Sequence, residues 1–277
     1  MPSLQSAAMR AEYRHLPGLR MCCARWVLLL TLAGWASPGC RDAVESTASR
    51  RFEEANQAFA AADSSEDFLG VANRYQAILD QGVLSGALLY NQGNAWMRAG
   101  ETGRAIASYR RALRFWPRDP QLAANLRSAL SSTSAPVDHM PLLGYLFFWQ
   151  NWLSYPEKFF LVTALLVVTL ILGILTQFPV AGRIGKRCGL LSGVLLVLLL
   201  VSTAWDWHRF ERVEHGVVIA DEVTARKGNS ENYEPAFTEA LHEGAEFQVL
   251  ERRGDWLHIR IDGSGDAWVE RRAIVTY

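Results

Sequence analysis

Two apolar runs separated by a short basic segment constrain this chain more than any other feature. The first run, residues 159–178, carries no charge over about 20 residues, the length that an α-helix needs to cross a bilayer core. The second run, residues 189–205, is at the short end of that range. Because soluble helices rarely stay apolar on all sides over this length, we predict a transmembrane hairpin of two antiparallel helices, connected by residues 179–188.

The segment between the two runs indicates how the hairpin is oriented. Residues 179–188 contain Arg183, Lys186 and Arg187 and no acidic residue, so the positive-inside rule places this loop in the cytoplasm. Aromatic residues cluster at the opposite ends of both runs, as in the belt at a membrane interface. They are Trp149, Trp152, Tyr155, Trp205 and Trp207. We therefore expect an integral protein of the bacterial inner membrane, with everything before and after the hairpin on its outer, periplasmic face.

The composition fits two small domains joined to membrane segments. Half of the 277 residues are hydrophobic, and the 28 basic residues balance the 28 acidic ones. The predicted outer location, rather than the charge, excludes nucleic acid as a partner. Neither outer segment has a cysteine beyond Cys40, so no disulfide framework supports these domains.

The N-terminal region, residues 1–39, is typical of an export signal. Residues 26–36 form an apolar stretch that is too short to span a membrane but suits a signal peptide. Small residues favour cleavage before Ser37. Two alternatives stay open: lipidation of Cys40, which follows a glycine, and an uncleaved signal anchor. The polar stretch ahead of residues 26–36 is unusually long for a signal peptide, so we expect translation to begin at Met21.

Residues 86–119 have the pattern of two closely packed antiparallel helices. Small residues allow the helices to approach each other, Gly100 separates them, and a proline ends the second helix. The segment resembles one tetratricopeptide (TPR) repeat, a unit of about 34 residues. The residues that carry this resemblance are Gly93, Trp96, Ala105, Tyr109, Ala112 and Pro117.

Further helices flank this repeat. Phe52, Ala55, Asn56 and Phe59 have the i, i+3, i+4, i+7 spacing of one helical face, and residues 71–79 form a second such face. Residues 121–130 supply one more helix after Pro120. Two units and a closing helix approach the minimum for a stable array, so we predict a short TPR α-solenoid over residues 50–131.

The resemblance to TPR proteins implies a peptide-binding concave face formed by the first helix of each repeat. Asparagine suits such a face because its amide both donates and accepts hydrogen bonds. The alternative is that these positions are merely solvated. The predicted partner-binding residues are Asn56, Tyr90, Asn91, Asn94, Arg98 and Asn125. The second helix is strongly basic, with Arg104, Arg110, Arg111, Arg114 and Arg118, and we expect either a solvated face or one that meets anionic headgroups or an acidic partner.

Residues 132–158 connect the solenoid to the first apolar run. The stretch begins with a serine-rich composition break that predicts a linker. Residues 141–155 are aromatic and apolar but too short to span a membrane, which favours a helix lying in the interface. A helix buried against the solenoid is the alternative.

Residues 213–277 change to the period of two that is typical of β-strands, with turn signals between short runs. The segment GAEFQVLERRGDWLHIRIDGSGDAWV resembles the bacterial SH3-like domain, although Ala267 replaces its last glycine. This resemblance implies a small β-barrel. Trp256 and Trp268 are candidates to line a ligand groove, with core packing as the alternative.

The sequence contains no constellation of residues that predicts catalysis. Its six histidines are scattered, and it lacks a nucleophile elbow, a phosphate-binding glycine loop and a zinc motif. We therefore predict no catalytic residues, no metal and no cofactor. A divergent wall hydrolase would need a catalytic domain for which the chain has no room.

The order of these parts resembles that of the BatE-like family, the TPR members of the bacterial aerotolerance (Bat) operons, over about residues 50–277. We therefore predict a multidomain α plus β fold: a short TPR solenoid, a two-helix transmembrane hairpin and a C-terminal SH3-like barrel. The resemblance implies partners with von Willebrand factor A domains and, indirectly, a MoxR-type AAA+ ATPase. We expect a non-enzymatic scaffold in a stress-tolerance setting. The alternative is a cell-wall sensor whose SH3-like domain binds peptidoglycan.

Overall fold

The computed structural model describes residues 39–133, 148–177 and 182–277. The greater part of the predicted export signal, much of the linker and the start of the hairpin connection lie outside these residues, as does the side chain of Cys40. The described residues form a mixed α and β structure. They divide into two compact units, the first ending at Leu84 and the second beginning at Ser85. This boundary falls inside the predicted 50–131 solenoid.

The N-terminal unit contains helices α1 (Gly39–Ala61) and α2 (Ser65–Leu79). A capping box begins α2, because Ser64 accepts from the amide of Asp67 while the Asp67 carboxylate accepts from the amide of Ser64. The two helices pack through aromatic side chains. Phe59 lies edge-on to Phe68, with ring centres 5.3 Å apart.

The second unit opens with α3 (Gly86–Ala99), α4 (Thr102–Leu113) and α5 (Pro120–Ser131). The predicted break lies at Gly100, whose φ of 88° is in the left-handed region that favours glycine. Gly93 allows the close approach of α3 and α4, since a Cβ atom there would lie 2.5 Å from the ring of Tyr109. Apolar side chains fill the space between the helices: Leu88, Leu89, Ala105, Ile106 and Leu122.

Helices α7 (Tyr155–Leu175) and α8 (Gly182–Trp207) pack against each other and are preceded by the short helix α6 (Phe148–Trp152). Both α7 and α8 lie in segments that are long and apolar enough to cross a membrane. Their outward faces expose large hydrophobic side chains. Helix α8 begins seven residues before the predicted second span, so the predicted basic loop is helical from Gly182 onwards.

A π-helical turn, His208–Arg212, leads from α8 into the β region. The strands are β1 (His215–Val218), β2 (Glu222–Val223), β3 (Leu241–His242), β4 (Glu246–Arg253), β5 (Trp256–Ile261), β6 (Gly265–Glu270) and β7 (Ile274–Thr276). Five of them form an antiparallel sheet in the order β6-β5-β4-β1-β7. Its core is apolar, with Val218, Phe247, Leu257, Ile259 and Val269.

The sheet is open, whereas the sequence predicts a barrel. Its edge strands β6 and β7 do not pair with each other, and β2 and β3 form a separate two-stranded ladder. The backbone of Arg226 covers β6 instead, exchanging hydrogen bonds of 2.8 Å with Trp268 in both directions. Alternation of apolar residues detects strands, but closure depends on how the strands tilt and stagger.

Candidate functional site

Helices α3 and α5 bring three of the predicted partner-binding residues together. Tyr90 and Asn94 lie one turn apart on α3, and Asn125 lies on α5. The Nδ2 group of Asn125 donates to Oδ1 of Asn94 at 2.8 Å and to the Tyr90 hydroxyl at 3.1 Å. All three side chains are half-buried. They form one hydrogen-bonded cluster on the surface of helices α3 to α5, which we call the helical region.

Tyr109 on α4 supports this cluster from the core. Its side chain is fully buried, and its hydroxyl donates to Oδ1 of Asn94 at 2.8 Å. Burial raises the pKa of Tyr109 far above the usual range of a phenol, because the phenolate would lose its hydration. The hydroxyl therefore keeps its proton and remains a donor. The amide of Asn94 is thus held by Tyr109 on one side and Asn125 on the other.

The cluster leaves one donor and one acceptor unused. Nδ2 of Asn94 and Oδ1 of Asn125 form no hydrogen bond with another described residue. Each belongs to an amide whose other atom is already fixed. An extended peptide presents alternating carbonyl and N–H groups, so a fixed donor beside a fixed acceptor complements its backbone.

The other predicted face residues lie apart from this cluster. Asn91 is half-buried on α3, and Arg98 is exposed near the end of the same helix. Asn56 belongs to the N-terminal unit, where its Oδ1 accepts from the Tyr75 hydroxyl at 2.8 Å. In each unit a tyrosine of one helix therefore holds an asparagine of the preceding helix. Sequence reasoning missed the role of these tyrosines, because the asparagine and tyrosine are 19 residues apart in one pair and 15 apart in the other, so no common spacing reveals them.

Three arginines at or just after the end of α4 form what we term the arginine joint. The joint consists of the ion pairs Arg110–Glu246, Arg114–Glu211 and Arg118–Glu157. Nε and Nη2 of Arg110 each donate to a carboxylate oxygen of Glu246 at 2.6 Å, a two-point geometry that fixes orientation. The acidic partners belong to the sheet and to the hairpin end near it. These arginines therefore serve contacts within the chain, rather than the solvated or partner-facing roles expected for them.

At the start of α4 the helix backbone itself contacts the β region, whereas the arginine joint reaches its partners through long side chains. The amide of Gly103 donates to Oε1 of Glu243 at 2.7 Å. A Cβ atom on Gly103 would lie 2.5 Å from the backbone oxygen of Val218. Helix α4 thus packs against α3 on one side and against the sheet on the other, which leaves the α3–α5 cluster outside this contact.

A second polar network lies at the sheet-side end of the apolar hairpin. Lys158 of α7 is 0% exposed, and its Nζ donates to Oδ2 of Asp206 at 2.6 Å and to the Gln150 carbonyl at 2.9 Å. The Gln150 amide in turn donates to Asp206 and accepts from Ser202. The network ties α6 to both long helices. Asp206 is the first charged residue after the second apolar run, and no pairing between it and Lys158 was predicted from the sequence.

The two candidate tryptophans of the sheet differ in exposure. Trp256 is half-buried, whereas Trp268 is only 9% exposed. His258 stacks on the ring of Trp268 with centres 4.8 Å apart, and the Arg253 guanidinium lies 5.1 Å from the Trp268 ring centre. Trp268 therefore offers little surface to a ligand in this state.

The predicted topology-determining residues Arg183, Lys186 and Arg187 are all exposed in the first turns of α8. In the described ranges, no group of three or more histidine, cysteine or acidic residues could hold a metal ion.

No family model matches the chain, and no curated protein is significantly similar to it.

Proposed function

We propose that this protein is a membrane-anchored adaptor without enzymatic activity. The α7–α8 hairpin anchors it in the bacterial inner membrane, and the helical region, a short TPR array, binds an extended segment of a partner protein. The C-terminal region is an SH3-like domain whose sheet supports the array. Under this proposal the anchor, the array and the C-terminal domain together recruit a partner protein to the membrane.

The observation that carries this proposal is the fixed amide pair of Asn94 and Asn125. Preorganised polar groups bind more tightly than mobile ones, because less side-chain entropy is lost on binding. The arginine joint supports the same reading. The joint uses the arginines at or just after the end of α4 for contacts within the chain, so the surface formed by α3 and α5 is left for a partner.

The resemblance to the Bat family suggests which partner this is. The resemblance implies that membrane proteins with von Willebrand factor A domains share the membrane with this chain, which brings them within reach of an anchored array. A MoxR-type ATPase is then an indirect partner through them. The proposed setting is stress tolerance of the cell envelope.

The test is purification of the tagged full-length chain in mild detergent, followed by mass spectrometry of the proteins that remain bound. Asn94→Asp is the informative variant, because it keeps the acceptor that holds Tyr109 and Asn125 but replaces the free donor with a carboxylate oxygen. We expect von Willebrand A-domain proteins with the wild type and their loss with this variant. Asn232→Asp is the matched control, since it makes the same change at an exposed loop position.

Equal recovery with both variants would show that the cluster is not the binding site. Recovery of the chain alone, together with retention of the full chain on purified sacculi, would favour the cell-wall sensor instead. The low exposure of Trp268 gives that alternative less support than the asparagine cluster gives the adaptor.

A further inference from the structure

Arginine and tryptophan side chains surround the end of the hairpin that leads into the sheet. Trp152 and Trp205 are 53% and 62% exposed, and Trp207 is also exposed. The guanidinium of Arg212 lies 4.9 Å from the ring centre of Trp207. Arg209, three residues earlier on the same π-helical turn, is exposed as well. We call Trp205, Trp207, Arg209 and Arg212 the arginine–tryptophan belt.

The two belt arginines differ from the other arginines at this end of the hairpin. Arg114 and Arg118 are neutralised by Glu211 and Glu157 in the arginine joint. Arg209 and Arg212 form no ion pair with any residue that the structure describes. The belt therefore carries two uncompensated positive charges.

Nearby acids do not cancel these charges. Glu211 lies on the same turn but is paired with Arg114, and Glu214 is paired with Arg252. Partial burial raises the pKa of Glu214, but hydrogen bonds that its carboxylate accepts from Arg252 and Thr276 outweigh this effect and keep the pKa below its usual value. Both carboxylates are thus already engaged elsewhere.

The chemistry of the belt matches a phospholipid surface. Exposed tryptophan next to a long apolar helix is typical of the headgroup level of a bilayer. Guanidinium groups bind phosphate through two parallel hydrogen bonds. An anionic lipid supplies both the phosphate and the apolar boundary that the indole rings need.

We propose that Arg209 and Arg212 bind the phosphate groups of anionic phospholipids, while Trp205 and Trp207 lie at the adjoining acyl boundary. This inference rests on the proposed membrane anchor. Lipid binding here fixes the depth of the hairpin at the end where the arginine joint holds the helical region and sheet.

The test titrates short-chain phosphatidylglycerol into the full-length protein in a neutral detergent and follows tryptophan fluorescence. Residues 179–188 contain no tryptophan, so the basic segment at the other end gives no direct signal, and the arginine variants assign the response to the belt among the ten tryptophans of the chain. The double variant Arg209→Gln/Arg212→Gln is expected to weaken the apparent affinity about 30-fold, which is about 1 kcal/mol for each arginine near an anionic surface. Phosphatidylcholine is expected to produce only a weak response in both proteins.

The matched control is Arg74→Gln/Arg127→Gln, which removes the same charge from exposed helical positions. Its affinity for phosphatidylglycerol is expected to equal that of the wild type. The variant Arg209→Lys/Arg212→Lys keeps the charge and is expected to retain most of the affinity, which separates charge loss from misfolding.

An unchanged affinity in the glutamine variant, or an equal loss in the control, overturns the inference. Competition by inorganic phosphate at the same concentration also overturns it, because the site would then recognise a soluble anion. Alkaline extraction of cell membranes tests the anchor separately. A chain washed off by alkali refutes the proposed function, whereas a retained chain that does not respond to phosphatidylglycerol refutes only this inference.

Discussion

Lys158 carries a positive charge at the start of a long apolar helix, where no part of its side chain reaches solvent. Its partner Asp206 is 4% exposed. A buried ion pair adds little net stability, because the cost of removing both charges from water offsets their attraction. Loss of one partner is different, since the remaining charge keeps that cost without the attraction.

We therefore expect Lys158→Met to lower the free energy of unfolding by about 3–5 kcal/mol. The double variant Lys158→Met/Asp206→Leu is expected to recover most of this loss, because two apolar side chains leave no buried charge. Thermal unfolding of the full chain in detergent, followed by circular dichroism, measures both. A double variant as unstable as the single one would assign the stability to the hydrogen bonds of Gln150 and Ser202.

His215 links the protonation state of one residue to the stability of the sheet. It stacks on Tyr277, and burial, with a smaller contribution from the nearby Arg209 charge, lowers the pKa of His215 below its ordinary value of 6.5. The unfolded chain therefore binds a proton at a higher pH than the folded chain. Stability is expected to fall as the pH drops below about 6.5 towards the lowered folded pKa.

The measurement is the free energy of unfolding between pH 7.5 and pH 5, a range chosen to lie above the titration of Glu214, whose pKa is also lowered. His215→Phe keeps an aromatic ring but cannot titrate, so its stability should change less over this range. His242→Asn, at an exposed position, should follow the wild type. Identical slopes in the wild type and His215→Phe would place the pH dependence on another group.

Helix α4 is the element that joins the helical region to the sheet. Its first turn touches the sheet at Gly103, where a Cβ atom would lie 2.5 Å from the Val218 carbonyl oxygen. That oxygen belongs to a paired strand and cannot move without disturbing the sheet. The contact therefore requires glycine for space rather than for an unusual backbone angle.

We expect Gly103→Ala to lower the free energy of unfolding by about 1–3 kcal/mol, the usual cost of overpacking. Gly70→Ala is the matched control, because Gly70 lies inside α2 and a Cβ atom there meets nothing within 4 Å. That control should gain about 0.5–1 kcal/mol from helix propensity. Chemical denaturation of the full chain compares the two. A gain in both variants would mean that α4 does not press against the sheet.

For the molecule as a whole, periodicity in the sequence predicted the elements better than their partners. Helices α3 and α4 lie on either side of the break predicted at Gly100, and strands β4 to β6 lie within the stretch that has a period of two. The arginine joint was not predicted, because Arg110 and Glu246 are 136 residues apart and Arg114 and Glu211 are 97 apart. A local pattern shows that a helix is basic but not which distant carboxylate it meets. The hydrogen bonds from the Tyr75 and Tyr109 hydroxyls to Asn56 and Asn94 were likewise not predicted.

The proposed topology makes a prediction that involves every part of the chain. Cys188 is exposed near the start of α8, and Tyr233 is 50% exposed in the β region that follows its end. If α8 crosses the membrane, these two positions lie on opposite sides. In intact spheroplasts, a membrane-impermeant maleimide should label the variant Tyr233→Cys but leave Cys188 unmodified until the membrane is permeabilised.

Mass spectrometry of the peptide that contains Cys188 separates its labelling from that of the N-terminal cysteines. This orientation is expected because the positive charges of Arg183, Lys186 and Arg187 are retained on the cytoplasmic side of the membrane. Labelling of Cys188 alone in intact spheroplasts would reverse the orientation and place the sheet in the cytoplasm. Labelling of both positions would show that α8 does not cross the membrane, and its apolar face would then have to be covered by another protein surface.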